Sequence, residues 1–489
     1  MDNLSSNRPE GAAAPGPNAD TEHATDPVDP VDSGAAETAE DLDTAGETAA
    51  APAAALGPVT VRDRIASIDV LRGVAVLGIL AMNIYAFAMP WAAYQNPLEW
   101  GGSDRLNLGV WYFTHFVFDQ KFMSIFSMLF GAGLILMFER AGDRPIGKIW
   151  YRRQFWLLMI GLVHAYLIWF GDILVPYAMV GMLVFLVRRW PAKRLVIVGS
   201  LWMLPTLLLG TGSAFMQHKM SGVHEIAQEK LEAGEALTPK EQEAVEMFSS
   251  DNPFAPPTEE KILETIEVYR HGSYLEIVHE RAPMVAIMQI AGFLFFGLWR
   301  IGGLMMLGMG LMKLGVFSAA RSDGFYTKLM AWGYGLGLPL VALSAWHLTG
   351  SQWDHLRMQK IDGYWNFFGS VGVALGHIAL VMLIVRRGWL RALVDRLSAV
   401  GRMAFTNYLM QSILCTLLFY SYGLGLFGTF DRWQQMLVVP TVWALQLAYS
   451  PWWLARFRFG PAEWMWRSLT YGKKPRLRRD ETIPVTASS

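Results

Sequence analysis

The run RRQFWLLMIGLVHAYLIWFGDILVPYA holds a histidine, His164, in the middle of an apolar stretch and a carboxylate, Asp172, at its far end, beside a turn marked by Gly171 and Pro176. An imidazole that titrates near neutrality can take a proton from a hydroxyl, and a carboxylate can orient it. The pair therefore reads as general base and orienting acid. The competing reading is a histidine satisfied by a backbone carbonyl or a neighbouring helix. Ionisable side chains within such stretches cost roughly 2.5 to 3.5 kcal/mol at mid-membrane, which makes each one a functional candidate.

Other polar residues interrupt apolar runs in the same way. In RIASIDVLRGVAVLGILAMNIYAF, Asp69 and Arg72 share one helical face, either as an interfacial ion pair or as a site for an anionic group such as a phosphate. Asn83 stands three helical turns further along that face and would line the same wall nearer the outside. In WYFTHFVFDQKF, Asp119 and Lys121 follow His115 and predict a polar cluster at the outer face, set either by snorkelling or by a site. The segment GRMAFTNYLMQSILC carries Arg402, Thr406, Asn407, Tyr408, Gln411 and Ser412, a stripe that must face protein or a cavity. Arg402, Asn407 and Gln411 are its candidate binding residues. His377, among the small residues of GSVGVALGHIAL, reads as an interhelical packing contact.

The elements that must position these groups are membrane helices. Apolar stretches near the ~20 residues needed to cross a bilayer recur from Ile68. They predict ten spans near 68–90, 120–138, 154–170, 173–187, 194–215, 300–317, 325–348, 367–386, 403–421 and 433–449. The shorter stretches 106–118 and 284–298 are expected to lie in the interface or re-enter. With ten spans, all six Arg/Lys clusters fall on one side, so both termini are expected in the cytoplasm. The fold class is an all-α polytopic bundle. Its expected parts are an acidic disordered tail (1–61), N-terminal spans (62–215), an extracytoplasmic polar helical loop (216–283), C-terminal spans (284–472) and a basic cytoplasmic tail (473–489).

Composition agrees. The chain is 53% hydrophobic and only 17% charged, well below the charged share of soluble domains. Residues 1–58 carry twelve acidic side chains against one basic, Arg8, and too few apolar ones to offset the entropy of ordering. One cysteine, Cys415, excludes an intramolecular disulfide or a CxxC metal site, and no zinc motif, P-loop or dinucleotide fingerprint is present. Nothing points to nucleic acid as a partner, and the lipid bilayer is the expected surrounding.

The strings IDVLRGVAVLGILAMNI, KFMSIFSMLFGAGLILM, GLVHAYLIWFGDILVPYA, GRMAFTNYLMQSI with YGLGLFG, and GPAEWMWRSLTYG resemble the YeiB-like family of bacterial multi-pass membrane proteins. The C-terminal half of that family is catalogued as domain of unknown function 418. The likeness spans residues 62–472 and implies the bacterial cytoplasmic membrane. The family is more distantly similar to transmembrane acyltransferases, in which a basic residue is followed, after ten intervening residues, by a catalytic histidine. Here Arg72 is the basic residue and Asn83 stands at the histidine position, so His164 has to supply the base.

That resemblance implies transfer of an acyl group from a cytoplasmic thioester donor, such as acyl-coenzyme A, to an envelope glycan or lipid. Arg72 would lie near the donor phosphates and Asn83 would face the developing oxyanion. The alternatives are a transporter or flippase for a small or amphipathic solute, since polar residues in spans also mark permeation paths, and a structural membrane protein.

Overall fold

The computed structural model describes residues 65–249, 258–354, 357 and 363–479. The acidic tail expected at 1–61 and residues 480–489 of the basic tail lie outside the described residues. The described chain is helical, with one isolated bridge between Phe457 and Arg478. In chain order the helices are α1 (Ala66–Ala88), α2 (Trp91–Gln95), α3 (Arg105–Val117), α4 (Lys121–Ala141), α5 (Gly147–Val163), α6 (Leu174–Val184), α7 (Ala192–Trp202), α8 (Leu204–Glu232) and α9 (Pro239–Met247). They continue as α10 (Glu259–His271), α11 (Tyr274–Ile287), α12 (Gly302–Lys313), α13 (Asp323–Gly350), α14 (Gly363–Arg387), α15 (Arg391–Arg402), α16 (Ala404–Phe419), α17 (Arg432–Arg456) and α18 (Pro461–Tyr471).

Among the described residues, six helical runs are long and apolar enough to cross a membrane: Ala66–Ala88, Arg105–Ala141, Ala192–Glu232, Tyr274–Lys313, Asp323–Gly350 and Gly363–Arg387. Leu174–Val187 and Ala404–Phe419 are shorter apolar helices. Four of the ten expected spans miss that standard: those near 173–187 and 403–421 fall on these shorter helices, and those near 154–170 and 433–449 fall on helices that are not apolar enough. Arg152, Arg153 and Gln154 interrupt α5, and Gln434, Gln435, Gln446 and two prolines, Pro440 and Pro451, interrupt α17. The stretches 106–118 and 284–298 are helical and run into the spans that follow them, the second through a π-helical segment, Met288–Ile301.

Burial separates centre from periphery. In α1, 78% of the most apolar window is buried within the protein, against 17% in Ala192–Glu232 and 11% in Tyr274–Lys313. An apolar helix that buries so little of itself must meet lipid, so these two runs form the outer wall and α1 the axis. Small residues set the central crossing. A side chain on Gly73 of α1 would strike the Leu397 carbonyl of α15, and one on Gly401 would strike the Asp69 carbonyl, so the backbones touch as they do at small-residue membrane interfaces. Beyond Leu80 the other half of α1 packs with Trp169, Cys415, Phe419 and Tyr420 in a single apolar cluster. This brings the α5–α6 turn and α16 against α1.

Candidate active site

The α5 helix does not end at Val163 but widens into a π-helical turn, His164–Ile168, closed by Trp169 N donating to the His164 carbonyl at 2.9 Å. Such turns leave carbonyls without helical partners and concentrate at functional sites. Here three of those carbonyls are capped. The buried Arg281 donates from Nε to Tyr166 O at 3.1 Å and from Nη1 to Ile168 O at 2.8 Å, and the Tyr274 hydroxyl donates to Leu167 O at 2.7 Å. The chain then extends at Trp169 and passes Gly171, where any side chain would strike the Trp169 indole. Asp172 thereby returns beside His164.

His164 Nδ1 lies 2.8 Å from Asp172 Oδ1, and His164 Nε2 lies 2.9 Å from Ser412 Oγ on α16. The histidine and aspartate side chains are 1% and 0% exposed, and Ser412 is 1% exposed. The other carboxylate oxygen, Asp172 Oδ2, accepts from Val175 N at 2.8 Å and so fixes the carboxylate at the start of α6. In the tautomer that donates from Nδ1 to the Asp172 carboxylate, the Nε2 lone pair receives the Ser412 hydroxyl. Serine, histidine and aspartate in this order form a relay that raises the nucleophilicity of a hydroxyl. The Tyr408 hydroxyl, one turn before Ser412, accepts from Ile173 N at 3.3 Å and fastens the same turn to α16.

His164 and Asp172 are thus in contact. Ser412 belongs to the polar stripe of α16, but its place in that stripe does not distinguish it from its neighbours. The only signal was a hydroxyl one residue after Gln411 on a helix that also carries Tyr408. Asn83 is half-buried on α1, and no side-chain hydrogen bond of Asn83 occurs among the described residues. It lies one turn before Phe87, whose ring stacks on Trp169 with centroids 3.9 Å apart; Trp169 in turn meets the His164 ring edge-on.

The remaining candidates fall into other groups. Arg72 pairs with Asp69 at 3.0 Å near the start of α1, and Arg402 ends α15, which crosses α1 there. Asn407 and Gln411 belong to an amide network that ties four helices, α1, α15, α16 and α17. Asn407 Nδ2 donates to Val400 O and Ser450 Oγ, Gln411 Nε2 donates to Val76 O and Gln446 Oε1, and Gln446 Nε2 donates to Asn407 O. These bonds set the register of α16 against α1 and α17, and hence the height of Ser412. The start of α16 is capped by Glu463 of α18, which accepts from Phe405 N at 2.7 Å and Thr406 N at 3.1 Å. Burial pushes the Glu463 carboxyl above its ordinary value despite these bonds. Asp119 and Lys121 lie in a separate cluster between α3, α4 and α14. His377 donates from Nε2 to the Val117 carbonyl at 3.1 Å, and its Nδ1 accepts from the Tyr334 hydroxyl at 2.8 Å, an interhelical contact.

A family profile described as "Protein of unknown function (DUF418)" matches residues 311–473, which include α16 and Ser412. The chain is 32% identical over 425 residues to the uncharacterized protein YeiB of Escherichia coli (strain K12), covering 83% of this chain and 96% of that protein. It is 31% identical over 437 residues to the uncharacterized protein YxaH of Bacillus subtilis (strain 168), covering 85% and 96%. It is 25% identical over 439 residues to an uncharacterized 39.9 kDa protein in the amylase 3' region of Bacillus acidopullulyticus.

Proposed function

The chain belongs to the DUF418 family of multi-pass membrane proteins, and from that premise we propose that it is a membrane-embedded acyltransferase working through Ser412, His164 and Asp172. The observation that carries the proposal is the continuous contact Asp172–His164–Ser412, at 2.8 Å and 2.9 Å in a site shielded from water. A hydroxyl relay of this kind serves acyl transfer, and exclusion of water protects an acyl intermediate from hydrolysis.

The steps are these. Ser412 Oγ attacks the carbonyl carbon of the donor thioester while His164 Nε2 takes its proton. The thioester C–S bond breaks, and the leaving sulfur takes that proton from His164 and departs as a thiol. The acceptor hydroxyl then attacks the acyl-serine carbonyl, giving its proton to His164, which returns it to Ser412 Oγ as that oxygen leaves. Asp172 holds the imidazole in the accepting tautomer and stabilises the imidazolium. Asn83, on the α1 face next to Trp169, is assigned to the carbonyl oxygen, and the Asp69–Arg72 end of α1, with Arg402, to the anionic part of an acyl-coenzyme A donor. The basic ends of the helices are assigned to the cytoplasm, with the glycan or lipid acceptor on the opposite side.

The test is thiol release from acetyl-coenzyme A by the purified protein. Wild type should release thiol, and Ser412→Ala and His164→Gln should each lose about a thousandfold or more of that rate, as removal of a triad member does. Wild-type protein that releases no thiol, but moves solute across proteoliposomes, would favour transport instead.

A further inference from the structure

At the junction of α3 and α4 the protein buries more positive than negative charge. Lys121 and Arg300 are both 0% exposed, and the carboxylate of this cluster is Asp119, two residues before Lys121. Lys121 Nζ donates to His115 O at 2.5 Å and to Asn366 Oδ1 at 2.9 Å, while Asn366 Nδ2 donates to Asp119 Oδ2 at 2.6 Å. Asp119 Oδ2 is also 3.1 Å from His115 Nδ1. Arg300 donates from Nη1 to Phe367 O at 3.0 Å and from Nη2 to Ser370 Oγ at 2.8 Å. Asn366 and Ser370 are one turn apart on α14, so both cations dock on one face of that helix.

Asp119 is occupied by His115 and Asn366, and no carboxylate lies within ion-pair distance of Lys121 or Arg300 among the described residues. Arg300 Nε and His115 Nε2 are buried with no hydrogen-bond partner among them. An unpaired buried cation is costly in a membrane interior, and two cations against one carboxylate leave a surplus of one positive charge.

The backbone around the cluster is held in unusual conformations. Gln120, between Asp119 and Lys121, has φ 60°, and Gln352 and Trp353 have φ 51° and 55°, a left-handed region that non-glycine residues seldom adopt. Trp353 meets Trp111 edge-on, and Trp111 stacks on His115 with centroids 4.8 Å apart. The turn at Gln352 and Trp353 thus supports the Trp111 ring that covers His115, and the turn at Gln120 sets Asp119 and Lys121 on either side of a left-handed residue.

We propose that Lys121 and Arg300, aided by His115, form a binding site for a singly charged phosphate group, either the phosphodiester of an anionic lipid headgroup or free dihydrogen phosphate. One such anion matches the charge surplus and supplies acceptor oxygens for the Arg300 Nε–H and the Lys121 ammonium. The site is separate from Ser412 and His164 and does not depend on acyl chemistry there.

The full-length protein in phosphatidylcholine nanodiscs is titrated with inorganic phosphate at constant ionic strength while thermal unfolding is followed. A second arm replaces phosphate with phosphatidylglycerol in the disc, and native mass spectrometry counts retained lipid. Stabilisation in the first arm alone identifies free phosphate, in the second alone the headgroup, and in both the shared phosphate chemistry. In each supporting case Arg300→Gln and Lys121→Gln weaken binding by roughly thirtyfold or more. No stabilisation of the wild type in either arm, or a response that both variants keep, overturns the proposal. Should those variants fail to fold, Asp119→Asn decides: loss of the competing carboxylate must tighten binding several-fold, and unchanged or weaker binding overturns the proposal.

Discussion

Each residue of the proposed relay has a job that a single substitution isolates. Asp172→Asn keeps an acceptor for Val175 N but places an amide donor or a weaker acceptor against His164 Nδ1, so the imidazole loses its fixed tautomer. The expected result is a fall in thiol-release rate of roughly ten-thousand-fold with the unfolding temperature little changed, since helix α6 keeps its cap. A fall in stability that accounts for the lost rate would make Asp172 a structural residue instead. His164 and Asp172 were legible in the sequence because ionisable groups in an apolar run are costly and stand out. Ser412 was less legible, because a hydroxyl in a helix can satisfy itself on a nearby carbonyl and carries little cost. Asn407 and Gln411 were legible as polar residues but not in their role, since the amide partners Gln446 and Ser450 come from a distant helix.

At the scale of elements, the site depends on two capped helix ends. Arg281 holds the carbonyls of the π-helical turn, and its loss in Arg281→Leu leaves two buried acceptors without partners, each costing about 1–3 kcal/mol. The unfolding temperature should drop and thiol release should fall with it; a variant unchanged in both would remove the turn from the account. Glu463 caps α16 from α18, and its carboxyl is raised from the ordinary 4.5 by burial. The sign follows from proton binding. The folded state holds this proton at pH values where the unfolded chain has released it, so stability is greatest below the ordinary value and falls as pH rises through the window up to the raised value. Thermal unfolding across that window should show this slope in wild type and a flatter one in Glu463→Gln; an equal slope in both would assign it to other groups. Helix type and place were legible from hydrophobic runs. The standing of α5 and α17 was not, because arginines, glutamines and prolines lower their apolarity while burial against α18, α1 and α15 still accommodates them.

For the whole molecule, the central feature is α1, buried almost all round and crossed by α15 at contacting backbones. Gly401→Ala inserts a methyl group against the Asp69 carbonyl, which the α1 helix holds in place, and is expected to cost about 1–3 kcal/mol by overpacking. Gly133→Ala in α4 meets open space, so it should be neutral or stabilising by about 0.5–1 kcal/mol through helix propensity. The difference between the two in chemical denaturation reports the crossing; equal effects would contradict it. The sequence shows that glycines recur in the spans but not which pairs meet, since Gly73 and Gly401 are joined only by the tertiary fold. The burial gradient from α1 to the Ala192–Glu232 and Tyr274–Lys313 runs is likewise a property of the assembled bundle, invisible to hydropathy that rates all three alike.

The most direct test of the central claim is to expose the purified protein to acetyl-coenzyme A without acceptor, quench in acid, and map acetyl groups by peptide mass spectrometry. An acetyl group is expected on Ser412 in wild type, absent in Ser412→Ala and strongly reduced in His164→Gln. Thiol release with no acetyl group on Ser412 would contradict the acyl-serine step, and release that occurs only once an acceptor is added, still with no acetyl-serine, would place His164 directly on the acceptor hydroxyl.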